Sequence, residues 1–215
     1  RQRAGGGLPA DASGTLASSG VNIDATGVAG NLANRGAGFG GSARATANLR
    51  GTSDLMTVTL DATARNLAVG QTEADRLLAG ESQLSLGVTL RDGTVFVDRA
   101  NLTNPQMVVT AQGSAQNGHQ NVTLQARVNN LGVILPDFPG ALTVNGTLAQ
   151  TAQGTQVDLH ATGPGQIDAQ IQGRMAPNFR SADMTINGTA LAGLANPFIS
   201  PRVVSGRTAF DLRLN

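Results

Sequence analysis

The sequence predicts an all-β protein, an antiparallel sheet of about a dozen amphipathic strands. Three observations predict it. Leu55–Ala64 sets Met56, Val58, Leu60 and Ala62 against Thr57, Thr59, Asp61 and Thr63, and a period of two gives an extended strand one dry and one wet side. The same unit returns as Val88-Thr89-Leu90, Val122-Thr123-Leu124 and Val157-Asp158-Leu159, at steps of 30, 34 and 35 residues. Helical periodicity is missing everywhere except one short stretch.

Composition narrows the classes. Charged residues are 13 % of the chain and the net charge is +1, so no basic field exists to attract nucleic acid. Solubility rests on Thr, Ser, Asn, Gln and 28 glycines. There is no cysteine, which excludes disulfides and thiolate metal sites and fits a bacterial cytoplasm or an envelope compartment. Aromatic residues are 3 %, so the ring anchors of a tight protein interface are scarce. No apolar run reaches the roughly 18–20 residues of a membrane-crossing helix. The chain opens on Arg1 without a leader and stops at Asn215 within a strand pattern, which reads as a segment of a longer protein.

The elements follow in order. Residues 1–13 are Gly-, Ala- and Arg-rich and read as a flexible start; residues 14–215 read as one continuous repeating domain. Thr15–Ala17 and Val21–Asp24 are short strands. Val28–Gly41 is glycine-laden loop or weak edge, and its Gly36–Gly41 run lacks the feeding strand and following helix of a phosphate cradle. Ser42–Leu49 and Leu55–Ala64 are strands joined across Arg50–Ser53. Thr72–Gly80 is one or two helical turns, with Thr72 as cap, Glu73 and Asp75 in the first turn, and Gly80 as stop. Gln83–Arg91 returns through Asp92-Gly93, a hairpin dipeptide, into Thr94–Leu102. After the Asn104-Pro105 break, Met107–Gly113 turns at Asn117-Gly118 into Asn121–Val128. Leu131–Gly140, with Pro136 and Pro139, is a flap. Ala141–Gln150, Thr155–Thr162, Gln166–Met175 and Ala182–Thr189 are strands, and the proline loop Asn196–Pro201 leads into Val203–Leu214. Asn145-Gly146 and Asn187-Gly188, in the matching strings Thr-Val-Asn-Gly-Thr and Thr-Ile-Asn-Gly-Thr, are hairpin turns or strand-bending bulges.

The dry side of such a sheet must meet something, and an exposed face of this size exceeds what monomers tolerate. Two outcomes are open: a packed sandwich or solenoid, or a trough held apart. A dozen strands at about 4.8 Å span roughly 55–60 Å, and a 16-carbon acyl chain needs about a third of that. Each buried methylene is worth about 0.8 kcal/mol, so an aliphatic lining holds such a chain while letting it slide.

Two passages carry a resemblance. Asp75–Gly80 followed by Val97-Asp98-Arg99-Ala100-Asn101-Leu102-Thr103-Asn104-Pro105, and the closing Asn196–Arg207 with Thr208–Leu214, resemble the repeated phrase of the TamB branch of the AsmA-like envelope proteins. The resemblance spreads over most of the chain and is one of phrasing. It implies an elongated, curled antiparallel β-sheet forming a hydrophobic groove, β-taco-like, in a periplasmic protein anchored in the bacterial inner membrane. It implies conduction of phospholipid acyl chains toward the outer membrane and support of outer-membrane protein (autotransporter) assembly with a TamA-like barrel partner. The anchor helix and the partner-facing terminal domain of that family have no counterpart in these residues. On this reading the groove is lined by Met56, Val58, Leu60, Leu84, Leu86, Val88, Leu90, Val122, Leu124, Val157, Leu159, Ile167 and Ile171, a facing assigned by alternation. The alternative is a closed β-solenoid or adhesin passenger with a structural or binding role, against which the uneven repeat spacing counts.

Catalysis finds no support. His119 and His160 lie in different repeats, one reading as a solvated turn residue and the other as a strand residue facing solvent beside Asp158. Neither has the partners of a metal site, and no cofactor is implied. Asp61, Asp158, Asp168 and Asp183 belong to wet strand faces, and no nucleophile elbow is present, so the chain does not read as an enzyme. The Asn-x-Ser/Thr strings at Asn101, Asn121, Asn145 and Asn187 are turn and strand residues rather than glycan acceptors.

Overall fold

A computed structural model describes residues 10–17, 20–30, 39–52, 54–91, 94–116, 119–151, 154–176, 181–199, 201 and 203–214. The chain divides into two compact units, Arg1–Pro105 and Gln106–Asn215. The boundary between them follows the Asn104-Pro105 dipeptide. Asn104 itself is buried and ties back into the first unit, donating to Leu77 O at 2.9 Å.

The first unit contains β1 (Ala10–Ala17), β2 (Gly20–Ala29), β3 (Phe39–Gly51), β4 (Leu55–Val69), α1 (Thr72–Leu77), β5 (Glu81–Arg91) and β6 (Thr94–Thr103). Each strand pairs antiparallel with the next. β1 starts inside the stretch read as a flexible start, because Ala10–Ser13 find a partner in Asp24–Gly27. The helix starts with Thr72 already helical; extended Gln71 precedes it without a side-chain cap, so the expected Thr72 cap is not formed. Asp75 instead accepts the Val69 N–H at 2.6 Å.

The second unit contains β7 (Met107–Gln116), β8 (His119–Val128), β9 (Leu142–Thr151), β10 (Gly154–Gly163), β11 (Ile167–Met175), β12 (Ala182–Leu191) and β13 (Arg207–Leu214). It is again an antiparallel meander in chain order. Short 3-10 turns occupy Leu131–Val133 and Ala192–Phe198. Arg91 pairs with Thr94 and Gln116 with His119, while the expected hairpin turns at 92–93 and 117–118 lie outside the described residues, as do 36–38 of the glycine run.

Asn145-Gly146 and Asn187-Gly188 are neither turns nor bulges. Both sit inside regular strands, β9 and β12, with unbroken register on either side. Glycine is needed there for a different reason: a Cβ on Gly146 would lie 2.7 Å from Leu159 Cα, and one on Gly188 2.7 Å from Ala169 Cα.

One real bulge matters. β6 carries the extra residue Asp98, so the register steps between Gly87 and Val88. Val97 and Ala100 thereby both stay opposite apolar partners, Val88 and Leu86. Asp98 is held on the wet side by the Thr89 hydroxyl at 2.7 Å.

Candidate functional site

The register stacks apolar residues into rows that cross each sheet. In the first unit Ile23, Leu49, Val58, Val88 and Val97 are successive cross-strand neighbours, as are Ala25, Ala47, Leu60, Leu86 and Ala100. A third row runs Gly27, Ala45, Ala62, Leu84 and Leu102, and Met56 faces Leu90 beyond the first. In the second unit one row runs Ala111, Leu124, Gly146, Leu159, Ile171, Ile186 and Leu212. The next runs Gly113, Val122, Leu148, Val157, Gly173, Met184 and Leu214. Ile167 opens β11 two places before the Ala161–Ala169 pair of a further row.

The expected lining residues therefore fall into two groups. Met56, Val58, Leu60, Leu84, Leu86, Val88 and Leu90 share one face of the first unit; Val122, Leu124, Val157, Leu159, Ile167 and Ile171 share one face of the second. Alternation alone also reaches Leu49, Ile23, Leu148 and Ile186, which the same rows contain. Val97 is different, because only the bulge at Asp98 brings it into line.

These rows are not sealed. Of the expected lining residues only Val157, 3 % exposed, is buried; the others are half-buried. The apolar side chains buried among the described residues are Ala29, Phe96, Leu131, Val157, Ala161, Ala169 and Ala190, mostly small. No side chain among the described residues is less than 2 % exposed. An interdigitated β-sandwich core closes its large aliphatics to near zero, and this face does not.

Long links crowd one end of each meander. In an antiparallel meander every second link lies at the same strand end. At that end of the second unit Phe138, from the link after β8, and Leu194, from the link after β12, both close on Gly165: its added Cβ would meet them at 2.8 and 3.0 Å. Asn130 holds the first of these links, accepting the Gly132 and Gly140 N–H groups at 3.0 Å each. Asn196 holds the second, donating to Val204 O at 3.2 Å and accepting its N–H at 2.8 Å. In the first unit Pro105 lies against Gly80, 3.0 Å from where a Cβ would sit, beside the link that holds α1.

The opposite face is polar and solvated. Thr57, Asp61, Gln83, Thr123, Gln125, Asp158, Asp168 and Gln172 are exposed, whereas Thr59 is half-buried. His160 is exposed as expected, but its partner is Asp168, at 2.7 Å across the β10–β11 ladder, rather than Asp158. Asp158 accepts from Gln170 and Gln172. The side chain of His119 lies outside the described residues. Arg65 and Glu81 pair at 3.0 Å, and the Arg65 hydrogen bond, joined by one from Gln83, lowers the Glu81 carboxyl below its ordinary value. Phe96 is an exception to the polar pattern: it is opposite Thr89, on this face, and is buried. A concavity of about 850 Å³ over β10–β13 is walled by Gln156, Asp158, Gln172, Arg174, Asp183, Thr185 and Arg213. Among the described residues no group of acidic or imidazole side chains is placed to hold a metal ion. No helix among them is long and apolar enough to cross a membrane.

No family model, curated protein or solved structure matches this chain.

Proposed function

We propose that the apolar faces of the two units seat hydrocarbon, and that the chain is a periplasmic segment of a TamB-like protein that conducts phospholipid acyl chains toward the outer membrane. The observation that carries this reading is the set of aliphatic rows, continuous from strand to strand yet half-exposed. An acyl chain laid along a row meets side chains that differ little in chemistry. Each methylene it buries contributes about 0.8 kcal/mol wherever it lies, so the chain is held without a preferred position. A site built to recognise one small molecule places convergent polar groups among its apolar ones. The rows named above contain only aliphatic residues, methionine and glycine.

Support for outer-membrane protein assembly through a TamA-like barrel rests on the sequence resemblance alone and belongs to the same proposal. A closed β-solenoid fits less well, since its coils stack in parallel and every neighbour pair described within the two units is antiparallel.

Site-specific photo-crosslinking in cells tests the proposal. Crosslinkers at Val58 and Leu124 are expected to capture phospholipid, and those at the exposed Thr57 and Thr123 are not. Capture at the threonine positions but not at Val58 or Leu124 would overturn it.

A further inference from the structure

Strands β8–β12 lie within the second unit, each paired on both sides. Alternation from Val122, Leu148, Val157, Gly173 and Met184 fixes which of their residues share the aliphatic face. On these strands that face is aliphatic, methionine or glycine at every place but three: Gln120, Gln150 and Thr155. The three fall in one row. Gln150 pairs with Thr155, and Gln120 stands one place beyond the Asn121–Ala149 pair. Gln120 is buried, Gln150 is exposed and Thr155 is half-buried.

This row bounds the face at the strand ends away from Gly165. The ends near Gly165 are apolar. Val128 pairs there with Leu142, and Ile167 with Gly163. Phe138 and Leu194 close on the turn itself, and Leu131 of the same link is buried. The face is therefore flanked by hydrocarbon at one side and by amides and a hydroxyl at the other.

A phospholipid has the same asymmetry. Its acyl chains need no partner, whereas its ester and phosphate oxygens are costly to desolvate unless a donor meets them. We propose that Gln150 and Thr155 mark the headgroup side of the lipid path in the second unit. Glycerol esters and phosphate lie along this row, and hydrocarbon lies over the aliphatic rows beside it. This rests on the hydrocarbon reading and adds the orientation of the lipid to it. The Gln150 side-chain amide donates to an ester or phosphate oxygen, as does the Thr155 hydroxyl. Gln120, being buried, is left out of that contact. Neither donor is charged, so each holds a phosphate less tightly than an arginine would and serves zwitterionic and anionic headgroups alike. Such a row orients a lipid without trapping it.

The test uses the whole 215-residue protein and vesicles of phosphatidylethanolamine and phosphatidylglycerol. They carry one of two photoreactive phosphatidylethanolamines, reactive at the headgroup or at the acyl tip, and peptide mapping reads where each attaches. The acyl-tip probe should label the aliphatic rows. The headgroup probe should label residues flanking Gln150 and Thr155 severalfold more than those flanking Gly163 and Ile167. Replacing Gln150→Leu and Thr155→Val together removes both donors at similar size. It should lower retained phospholipid about fivefold, the scale of one net hydrogen bond, and leave binding of hexadecane unchanged. Circular dichroism checks that the variant keeps its sheet. Headgroup labelling as strong at Gly163 and Ile167, with the acyl tip still on the rows, would overturn the orientation and leave the hydrocarbon reading standing. A double variant that retains phospholipid undiminished, or loses hexadecane equally, would overturn it too. Labelling by neither probe would remove the hydrocarbon reading and this inference with it.

Discussion

Replacing Gly146 with alanine tests how closely the strands of the second unit approach one another. Gly146 stands between Leu124 on β8 and Leu159 on β10. The added methyl carbon would lie 2.7 Å from Leu159 Cα and 2.9 Å from its Cδ2, and closer still to the Asp158 carbonyl oxygen. Two of these three atoms are backbone, so the ladder must open by several tenths of an ångström or more. Overpacking of that kind costs about 1–3 kcal/mol. It outweighs the roughly 0.5–1 kcal/mol that alanine returns by restricting the unfolded chain. Gly27, on β2, is the matched control, since its added methyl meets nothing within 4 Å. Gly27→Ala should be neutral or stabilising by a few tenths of a kcal/mol. Urea unfolding followed by far-ultraviolet circular dichroism should separate the variants by about 1–3 kcal/mol, with unchanged slope. Equal stability of the two would refute the close approach.

Two further outcomes follow from the same geometry. Leu124→Glu puts a carboxylate on the half-buried apolar face, and the proposal expects lipid capture at the half-buried Leu159 to fall severalfold in a crosslinking assay; Thr123→Glu, on the exposed face, should leave it unchanged. Glu81 titrates below its ordinary 4.5 because Arg65 and Gln83 bond its charged form. The pair therefore contributes its small stability above that pH, and the contribution is lost as the pH falls through the lowered value. Carboxyl titration by NMR should place Glu81 below 4.5, and Arg65→Met should move it back up.

The fold was legible because a period of two is written plainly in β4, β5, β8 and β10, and each strand's polar residues mark its wet side. Element order followed directly, since strands joined by short links pair with their neighbours. What stayed hidden depends on cross-strand register. Asn-Gly is the same dipeptide whether it turns a hairpin or lets a neighbouring backbone approach, so the role of Gly146 and Gly188 emerges only when β10 and β11 are in place. His160 finds Asp168 rather than Asp158 because a residue two positions along its own strand points away in parallel, while a diagonal neighbour on β11 comes within reach. The bulge at Asp98 and the burial of Phe96 on the wet face break the alternation that alone assigned the lining. Half-exposure of the aliphatic rows was not readable either, because Val, Leu and Ala line a sealed core and an open trough alike.

Native mass spectrometry of the protein purified from membranes in mild conditions measures the central claim most directly. The account predicts a population carrying one or more additional masses that extraction identifies as phospholipid, reduced in Leu124→Glu and retained in Thr123→Glu. A clean unliganded mass, with added phospholipid failing to bind, would contradict it and leave a β-scaffold whose aliphatic faces serve some other contact.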